Sequence, residues 1–161
     1  MSQETFSLDI VSVELRKERK LLSEWPVNTV ETAVELLQDF LEDRDREHIC
    51  AVYLRNDMKP ICMSVIAIGT VSIAVTSPRE ILKAAILTNA SYIMLLHNHP
   101  TGNPAPSEPD LALTKKIAKA GELMEIPLVD HIIIGRNCKY SFMENGLLPR
   151  VTNPILAEVA E

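Results

Sequence analysis

Two histidines and an aspartate, joined by a proline-rich segment, are the residues of this chain whose types and spacing could do chemistry. His97 and His99 stand at the end of the apolar run "SYIMLLH", and residues i and i+2 of an extended chain project to the same side. Asp110 follows His99 by eleven residues, after a segment with four prolines that can form neither a helix nor an inner strand. Catalytic zinc usually takes three protein ligands and keeps one position for water. The spacing therefore predicts a metal site made by His97, His99 and Asp110 at the end of a central strand.

The same stretch of sequence also permits plainer interpretations. "SEPD" has the spacing of a capping box, so Asp110 could do no more than cap a helix together with Ser107. His131 lies within the apolar run "PLVDHIIIG" and is predicted to be a core histidine with satisfied hydrogen bonds. His48 has no partner visible in the sequence. Glu47, in the charged run "EDRDRE", looks by itself like one more solvated charge.

Helix-start signals place two helices before the histidines. Asn28 is predicted to cap a helix over residues 29–42, with Glu31 closing a capping box. Ser77 is predicted to cap a second helix, with Pro78 at its first position and Glu80 closing the box, that runs to about residue 88. Both helices have apolar residues at helical spacing, so each has one face to bury.

Apolar and β-branched runs predict the strands, and a third helix follows the proline-rich segment. Gly121 inside that helix predicts close packing against a neighbour. Strands are expected at Phe6–Leu15, "HICAVYLRN", the two halves of "PICMSVIAIGTVSIAV" turning at Gly69-Thr70, "SYIMLLH", "PLVDHIIIG" and "KYSF". Helices alternate with strands, which predicts a single α/β domain with a central mixed sheet flanked by helices. We expect an N-terminal strand and connector at 1–26, the domain at 27–149 and a tail at 150–161.

The composition limits the function classes. With 47% hydrophobic and 24% charged residues, the 161-residue chain is expected to be one globular domain. A net charge of −6 argues against binding through phosphate contacts. No secretory signal is visible, and the longest apolar run is too short to span a membrane. Three isolated cysteines indicate reduced thiols, as expected of a cytoplasmic protein.

A family resemblance covers the residues that carry the chemistry. His97, His99, Ser107 and Asp110 match the H-x-H-P…S-x-x-D core of the JAMM (MPN+) metalloproteases. Together with "PREILKAAILTNA", "DHIIIG" and "YSFMENGLL", the region from 27 to 149 resembles the bacterial RadC-type branch. The resemblance implies a deaminase-like three-layer sandwich and a zinc ion held by His97, His99 and Asp110.

The resemblance also implies a reaction and its participants. Glu47 matches the family's glutamate, which accepts a proton from the zinc-bound water, and Ser107 matches its serine, which helps to stabilise the oxyanion. The expected function is hydrolysis of a peptide or isopeptide bond in a protein or peptide substrate. RadC-type proteins commonly have an N-terminal helical region with helix-hairpin-helix character. About 26 residues precede the first predicted helix, so we expect that region to be absent and direct duplex DNA binding not to occur.

Three other functions share parts of this sequence pattern. A zinc deaminase requires H-x-E followed by P-C-x-x-C, and the sequence has no CxxC. The letters "HNH" at 97–99 do not indicate a nuclease, because that motif spreads its three residues along the chain. The remaining alternative is a RadC-type protein of DNA repair or of mobile elements that acts by binding rather than by proteolysis.

Overall fold

The computed structural model describes residues 12, 14–24, 26, 28–69 and 76–149. The predicted opening strand, the second half of the hairpin beyond Gly69 and the tail at 150–161 lie wholly or largely outside these residues. No helix among the described residues is long and apolar enough to cross a bilayer. The helices and strands, in chain order, are α1 (Val30–Leu41), β1 (His48–Leu54), β2 (Pro60–Ile68), α2 (Pro78–Leu87), β3 (Tyr92–Asn98), α3 (Glu108–Leu123), β4 (Leu128–Gly135) and β5 (Cys138–Ser141).

The five strands form one mixed sheet in the order β2-β1-β3-β4-β5, as the alternation of helices and strands predicted. The β3–β4 pair is parallel, and the other neighbouring pairs are antiparallel. Every residue of β1, β3 and β4 is buried, because helices cover both faces of the sheet. His97 lies in the central strand and pairs with Ile49 on one side and Ile133 on the other.

Side chains alternate between two cores, one on each face of the sheet. Leu96 of β3 packs into the core that α1 covers, whereas Leu95 packs into the core that contains residues of α2 and α3. Since successive strand residues point to opposite faces, His97 lies on the same face as Leu95. The candidate site is therefore on the α2–α3 side, where the start of α3 can reach it.

The first helix begins one residue later than predicted. Thr29, rather than Asn28, is the N-cap: its hydroxyl accepts from the backbone N–H of Thr32 at 3.2 Å. The Thr32 hydroxyl lies 3.1 Å from the backbone nitrogen of Thr29 and accepts its N–H in return. The predicted box between Asn28 and Glu31 is wrong because a threonine pair one position along satisfies both free N–H groups.

The second and third helices follow their predicted courses with one local difference. Ser77 is the N-cap of α2 and Pro78 its first residue, but the Ser77 side chain makes no cap bond. The capping box predicted with Glu80 is therefore wrong, and Glu80 instead accepts from the Nζ of Lys83 at 2.9 Å. In α3, a Cβ added to Gly121 would lie 2.6 Å from the backbone oxygen of Ile126. The close packing expected at Gly121 is confirmed, and it brings α3 against the start of β4.

Candidate metal centre

Four side chains converge where β3 ends and β1 begins. One ligand atom from each of Glu47, His97, His99 and Asp110 lies within 4.8 Å of the others. Glu47, His97 and Asp110 are buried, whereas the side chain of His99 is 15% exposed. The cluster is thus shielded from solvent at Glu47, His97 and Asp110 and open to solvent on the side of His99.

The two histidines turn the same ring atom toward each other. Their Nε2 atoms lie 3.1 Å apart. The Nδ1 of His99 lies 2.8 Å from the backbone oxygen of Asn103. A carbonyl oxygen only accepts hydrogen bonds, so this Nδ1 carries the hydrogen and the Nε2 of the neutral ring presents a lone pair to the cluster.

The proline-rich segment is anchored to the end of β4. The backbone N–H of His99 donates to Ile134 at 2.9 Å, and that of Arg136 donates to Gly102 at 3.0 Å. Gly102 has a φ of +85°, which glycine adopts without strain. A Cβ added to Gly135 would lie 2.5 Å from the oxygen of Gly102, so the two backbones approach as closely as glycines allow. This contact sets the position of His99 relative to β3.

Asp110 caps a helix and faces the histidines at the same time. Its Oδ2 lies 2.7 Å from the backbone nitrogen of Ser107 and 3.4 Å from the Nε2 of His99. Its Oδ1 lies 3.1 Å from the Nε2 of His97. Burial raises the pKa of Asp110, but the hydrogen bonds that His97 and His99 donate when their rings are protonated, together with the bond from Ser107, outweigh it and hold the pKa well below its usual range. The two interpretations of "SEPD" are compatible, because one carboxylate has lone pairs for both sets of contacts.

Ser107 makes its side-chain contacts with Asp110. Its hydroxyl donates to the Oδ2 of Asp110 at 2.5 Å and accepts from the backbone N–H of Asp110 at 3.4 Å. The capping box predicted at the start of α3 is therefore present. The single hydroxyl hydrogen of Ser107 is donated to Asp110 in this arrangement, so it does not point into the open side of the cluster.

Glu47 is the residue whose position the sequence least suggests. The side chain is 9% exposed, and its Oε1 lies 3.6 Å from the Nε2 of His97 and 4.0 Å from that of His99. Its backbone oxygen accepts from the N–H of Gly69 at 2.8 Å, which ties the residue before β1 to the end of β2. The charged run that contains Glu47 is solvent-exposed through Arg46 and then enters the sheet.

The donor atoms fit a metal ion in number, type and spacing. Ligands about 2.0–2.2 Å from a tetrahedral zinc ion lie about 3.3–3.6 Å from one another. The observed separations are 3.1 Å for the two Nε2 atoms and 3.1 and 3.4 Å from these to the oxygens of Asp110. Glu47 is farther from both rings than Asp110 is. Lone pairs from three side chains that converge over about 3 Å repel one another unless a cation lies between them.

Comparison with known proteins places this site in a family. A sequence model of the RadC-like JAB domain matches residues 27–147. The chain belongs to the RadC family. The match contains every residue of the cluster and all eight described helices and strands, so the resemblance seen in the sequence is confirmed.

The curated RadC-family relatives are known as UPF0758 proteins. One from Pasteurella multocida is 45% identical over 112 residues, which cover 70% of this chain and 50% of the relative. One from Desulforamulus reducens is 42% identical over 113 residues, which cover 70% of this chain and 50% of the relative. One from Haemophilus influenzae is 40% identical over 130 residues, covering 81% and 59%. The chain thus spans about half to three-fifths of the length of these relatives.

Asn98, between the two histidines of this RadC domain, holds the segment that carries Glu47. Its Oδ1 accepts from the backbone N–H of His48 at 2.8 Å, and its Nδ2 donates to the oxygen of Arg46 at 3.0 Å. Asn98 is 2% exposed and points to the opposite face of the sheet from His97. The backbone on both sides of Glu47 is therefore fixed by the strand that carries the histidines. The sequence does not predict this role, because a lone asparagine in an apolar strand gives no sign of its partner.

His131 is the satisfied core histidine that its apolar neighbours predicted, but one of its partners belongs to the cluster. Its Nε2 lies 2.7 Å from the Nδ1 of His97, and its Nδ1 lies 2.6 Å from the hydroxyl of Thr114. Its ring stacks on Phe142 with centroids 4.8 Å apart. Burial lowers the pKa of His131 well below its ordinary value, so the ring is neutral. Neither Thr114 nor the contact with His97 was visible in the sequence.

Proposed function

We propose that this chain is a zinc-dependent hydrolase that cleaves an amide bond, peptide or isopeptide, in a protein or peptide substrate. The observation that carries the proposal is the convergence of His97, His99 and Asp110 with a buried second carboxylate, Glu47, beside a solvent-accessible edge. Membership of the RadC family supports it, because the matched region contains the complete cluster.

The ligands in this proposal are the Nε2 atoms of His97 and His99 and the carboxylate of Asp110. Neutral imidazole and carboxylate suit zinc, and three protein ligands are typical of a catalytic rather than a structural site. A bound zinc ion supplies a Lewis acid and lowers the pKa of bound water toward neutrality. The depressed pKa of Asp110 keeps this carboxylate ionised, which a metal ligand requires.

Glu47 is the proposed general base. Its Oε1 is near both Nε2 atoms but farther from each than the oxygens of Asp110 are, as expected of a carboxylate that acts beside the ligands. It takes up a proton at Oε1 from the attacking water and gives it to the leaving amine. Because the side chain is 9% exposed, bulk water competes little for that proton.

Ser107 is the proposed oxyanion donor. To act so, its O–H must turn from the Oδ2 of Asp110 to the developing negative charge, while the oxygen still caps α3. A rotation about one side-chain bond suffices, since a hydroxyl can accept from the helix and donate elsewhere. The backbone bond between Ser107 and Asp110 remains to hold the carboxylate.

The partners follow from charge and from the donor set. With a net charge of −6, we propose that the chain does not bind duplex DNA directly and that its substrate is a protein or peptide. All three cysteines are free and two of them are exposed, which supports a reducing compartment, the cytoplasm.

The proposal is tested by measuring metal content and turnover on the same preparations. Wild-type protein purified without chelator should contain about one zinc, and Asp110→Ala should lose it. Glu47→Gln should keep the zinc and the melting temperature, because it removes the proton acceptor but no ligand. Its hydrolysis of quenched peptide and isopeptide-linked probes should fall by about 10²–10⁴-fold.

Glu108→Gln is the matched control, because it makes the same chemical change at an exposed position of the first turn of α3. It should leave zinc content and turnover unchanged. Protein that neither contains zinc nor takes it up would refute the metal site. Equal turnover of Glu47→Gln and wild type would refute the base, and loss of zinc in Glu47→Gln would make Glu47 a ligand instead.

A further inference from the structure

We propose that Thr114 and His131 form a directional hydrogen-bond chain that holds His97 in the one neutral tautomer able to bind a metal. This inference rests on the metal site of the proposed function and concerns two side chains outside its ligand set. The chain of bonds starts at the backbone of one proposed ligand, Asp110, and ends at the ring of another, His97.

The first step fixes the hydrogen of Thr114. Its Oγ1 lies 2.6 Å from the backbone oxygen of Asp110, one turn earlier in α3. A carbonyl oxygen can only accept, so the single hydroxyl hydrogen of Thr114 is donated there. The Oγ1 then has only lone pairs for its second partner, the Nδ1 of His131 at 2.6 Å. His131 must therefore carry a hydrogen on Nδ1.

The second step fixes His97. A neutral imidazole carries one hydrogen, and the ring of His131 is fully buried, which strongly disfavours its charged form. With that hydrogen on Nδ1, the Nε2 of His131 is an acceptor. The Nδ1 of His97, 2.7 Å away, must then donate to it. The Nε2 of His97 is left with a lone pair directed at Asp110 and His99.

The reverse polarity of the chain is disfavoured by one contact. It would require Thr114 to donate to His131, which leaves its oxygen facing the oxygen of Asp110 at 2.6 Å with no hydrogen between them. Thr114 is 3% exposed, so water cannot relieve this repulsion. The reverse chain would also place a hydrogen on the Nε2 of His97 and block metal binding there.

The two histidines thus reach the same tautomer by different means. His99 lies just past the end of β3, where the free backbone oxygen of Asn103 accepts from its Nδ1. His97 lies inside the sheet, where the backbone oxygens of the neighbouring strand are used by the ladder. The group that its Nδ1 meets is a side chain of β4, the imidazole of His131 at 2.7 Å. A neutral imidazole accepts at Nε2 when its hydrogen is on Nδ1, and that hydrogen needs an acceptor of its own. Thr114 supplies that acceptor.

The test measures the tautomer directly in metal-free protein. Two-bond ¹H–¹⁵N correlation spectra of ¹⁵N-histidine-labelled protein at pH ~8.5, above the ordinary histidine pKa, distinguish an Nδ1-bound from an Nε2-bound hydrogen. Zinc affinity is measured on the same samples by competition with a chromophoric chelator. The variants are Thr114→Val, which removes the hydroxyl at nearly constant volume, and Thr114→Ser, which keeps it.

Thr88→Val is the matched control. The hydroxyl of Thr88 donates to the oxygen of Ala84, four residues earlier, at 2.9 Å, so the same substitution removes the same kind of bond at the C-cap of α2. Circular dichroism melts show whether each variant is folded. The wild-type spectrum tests the proposal even if a variant is not.

The wild-type spectrum should show His97 with its hydrogen on Nδ1. Thr114→Val should move a measurable fraction of His97 to the other tautomer and weaken zinc binding by about 10–100-fold, the usual effect of losing a group that orients a ligand. Thr114→Ser and Thr88→Val should match wild type in both measurements. Wild-type His97 with its hydrogen on Nε2 would overturn the proposal. An unchanged tautomer of His97 in Thr114→Val would also overturn the proposal, whatever the zinc affinity of that variant. If His97 behaves as expected in metal-free protein that nevertheless binds no zinc, the proposed function fails and the hydrogen-bond chain stands.

Discussion

Replacing Asn98 by alanine should destabilise the domain and slow the reaction without removing the metal. Asn98 makes two short hydrogen bonds, a buried one from the N–H of His48 at 2.8 Å and a half-buried one to the oxygen of Arg46 at 3.0 Å. A third contact, to the oxygen of Arg44 at 3.5 Å, is too long to contribute much. In Asn98→Ala the buried N–H of His48 would lose its partner, whereas the oxygen of Arg46 would keep the Nδ1 of His48 at 2.9 Å.

The size of the effect follows from those two bonds. The orphaned N–H of His48 costs about 1–3 kcal/mol and the lost half-buried bond to Arg46 about 0.5–1.5 kcal/mol, so the free energy of unfolding should fall by about 1.5–4.5 kcal/mol. A domain of this size loses about 2–4 °C of melting temperature per kcal/mol, which gives a decrease of roughly 3–18 °C. Water that enters the space left by the amide would bring the effect toward the lower end.

The effect on turnover follows from what the two bonds flank. Arg46 and His48 stand on either side of Glu47, so the proposed base would lose its support on both sides. A misplacement of about 1 Å commonly costs about 10²-fold in rate. The three proposed ligands come from the end of β3 and the start of α3, so zinc content should remain close to that of wild type.

The assay combines thermal melts, zinc content and kcat for Asn98→Ala and a matched asparagine. Asn145→Ala is the control, because the side chain of Asn145 makes one bond, to the oxygen of Ser141 at 2.8 Å, in the turn after β5. Equal melting temperatures of Asn98→Ala and Asn145→Ala would refute the predicted role of Asn98 in stability. Loss of zinc in proportion to turnover in Asn98→Ala would refute its predicted role in turnover, since Asn98 would then support the ligands rather than Glu47.

Three further outcomes are expected. The hydrogen bond to Asp110 raises the pKa of His99 in the folded state. Metal-free protein should therefore lose stability as pH rises from about 6.5 through that pKa, because in this range the native state still holds a proton that the unfolded state has released. Urea unfolding in chelator at pH ~6.5 and ~8.5 measures this change, and His99→Gln should abolish it. Ser107→Ala should lower the free energy of unfolding by about 0.5–2 kcal/mol through loss of the N-cap and turnover by about 10²–10³-fold through loss of the oxyanion donor; full turnover with reduced stability would leave Ser107 as a cap alone. Fluorescence anisotropy at physiological salt should detect no binding of duplex DNA tighter than micromolar, given the net charge of −6, and tight binding would favour a DNA-associated role.

Features that depend on neighbours in the chain could be predicted from the sequence. The largely apolar runs of β3 and β4 indicate strands buried on both faces, and both are. The spacing of His97 and His99 and the capping box of Ser107 and Asp110 are local patterns, since each is decided within one strand or one helical turn. Family resemblance added Glu47, whose type and position no local pattern distinguishes from its charged neighbours.

The choice of cap at α1 shows where local patterns stop being sufficient. Asn28 and Thr29 are both good N-cap residues, and each has a polar residue three positions later. The chain begins its helix at Val30 and so uses Thr29 with Thr32. Intrinsic propensity does not choose between two helix starts whose free energies differ by only a few tenths of a kcal/mol. The packing of the helix against the sheet makes that choice.

What only the tertiary structure decided is the environment of each polar group. Glu47 is buried, His48 and Arg46 are held by Asn98, and the ring of His97 is oriented through His131, although these residues are separated by tens of positions in the chain. Their contacts arise from the pairing of β1 with β3 and of β3 with β4. The sequence by itself indicated that His97, His99 and Asp110 could bind a metal, and approximately where the described helices and strands lie. Strand register decided which of those groups meet, which nitrogen each ring presents and which carboxylate is shielded from water, because a hydrogen bond or a ligand set depends on distances between atoms rather than on spacing along the chain.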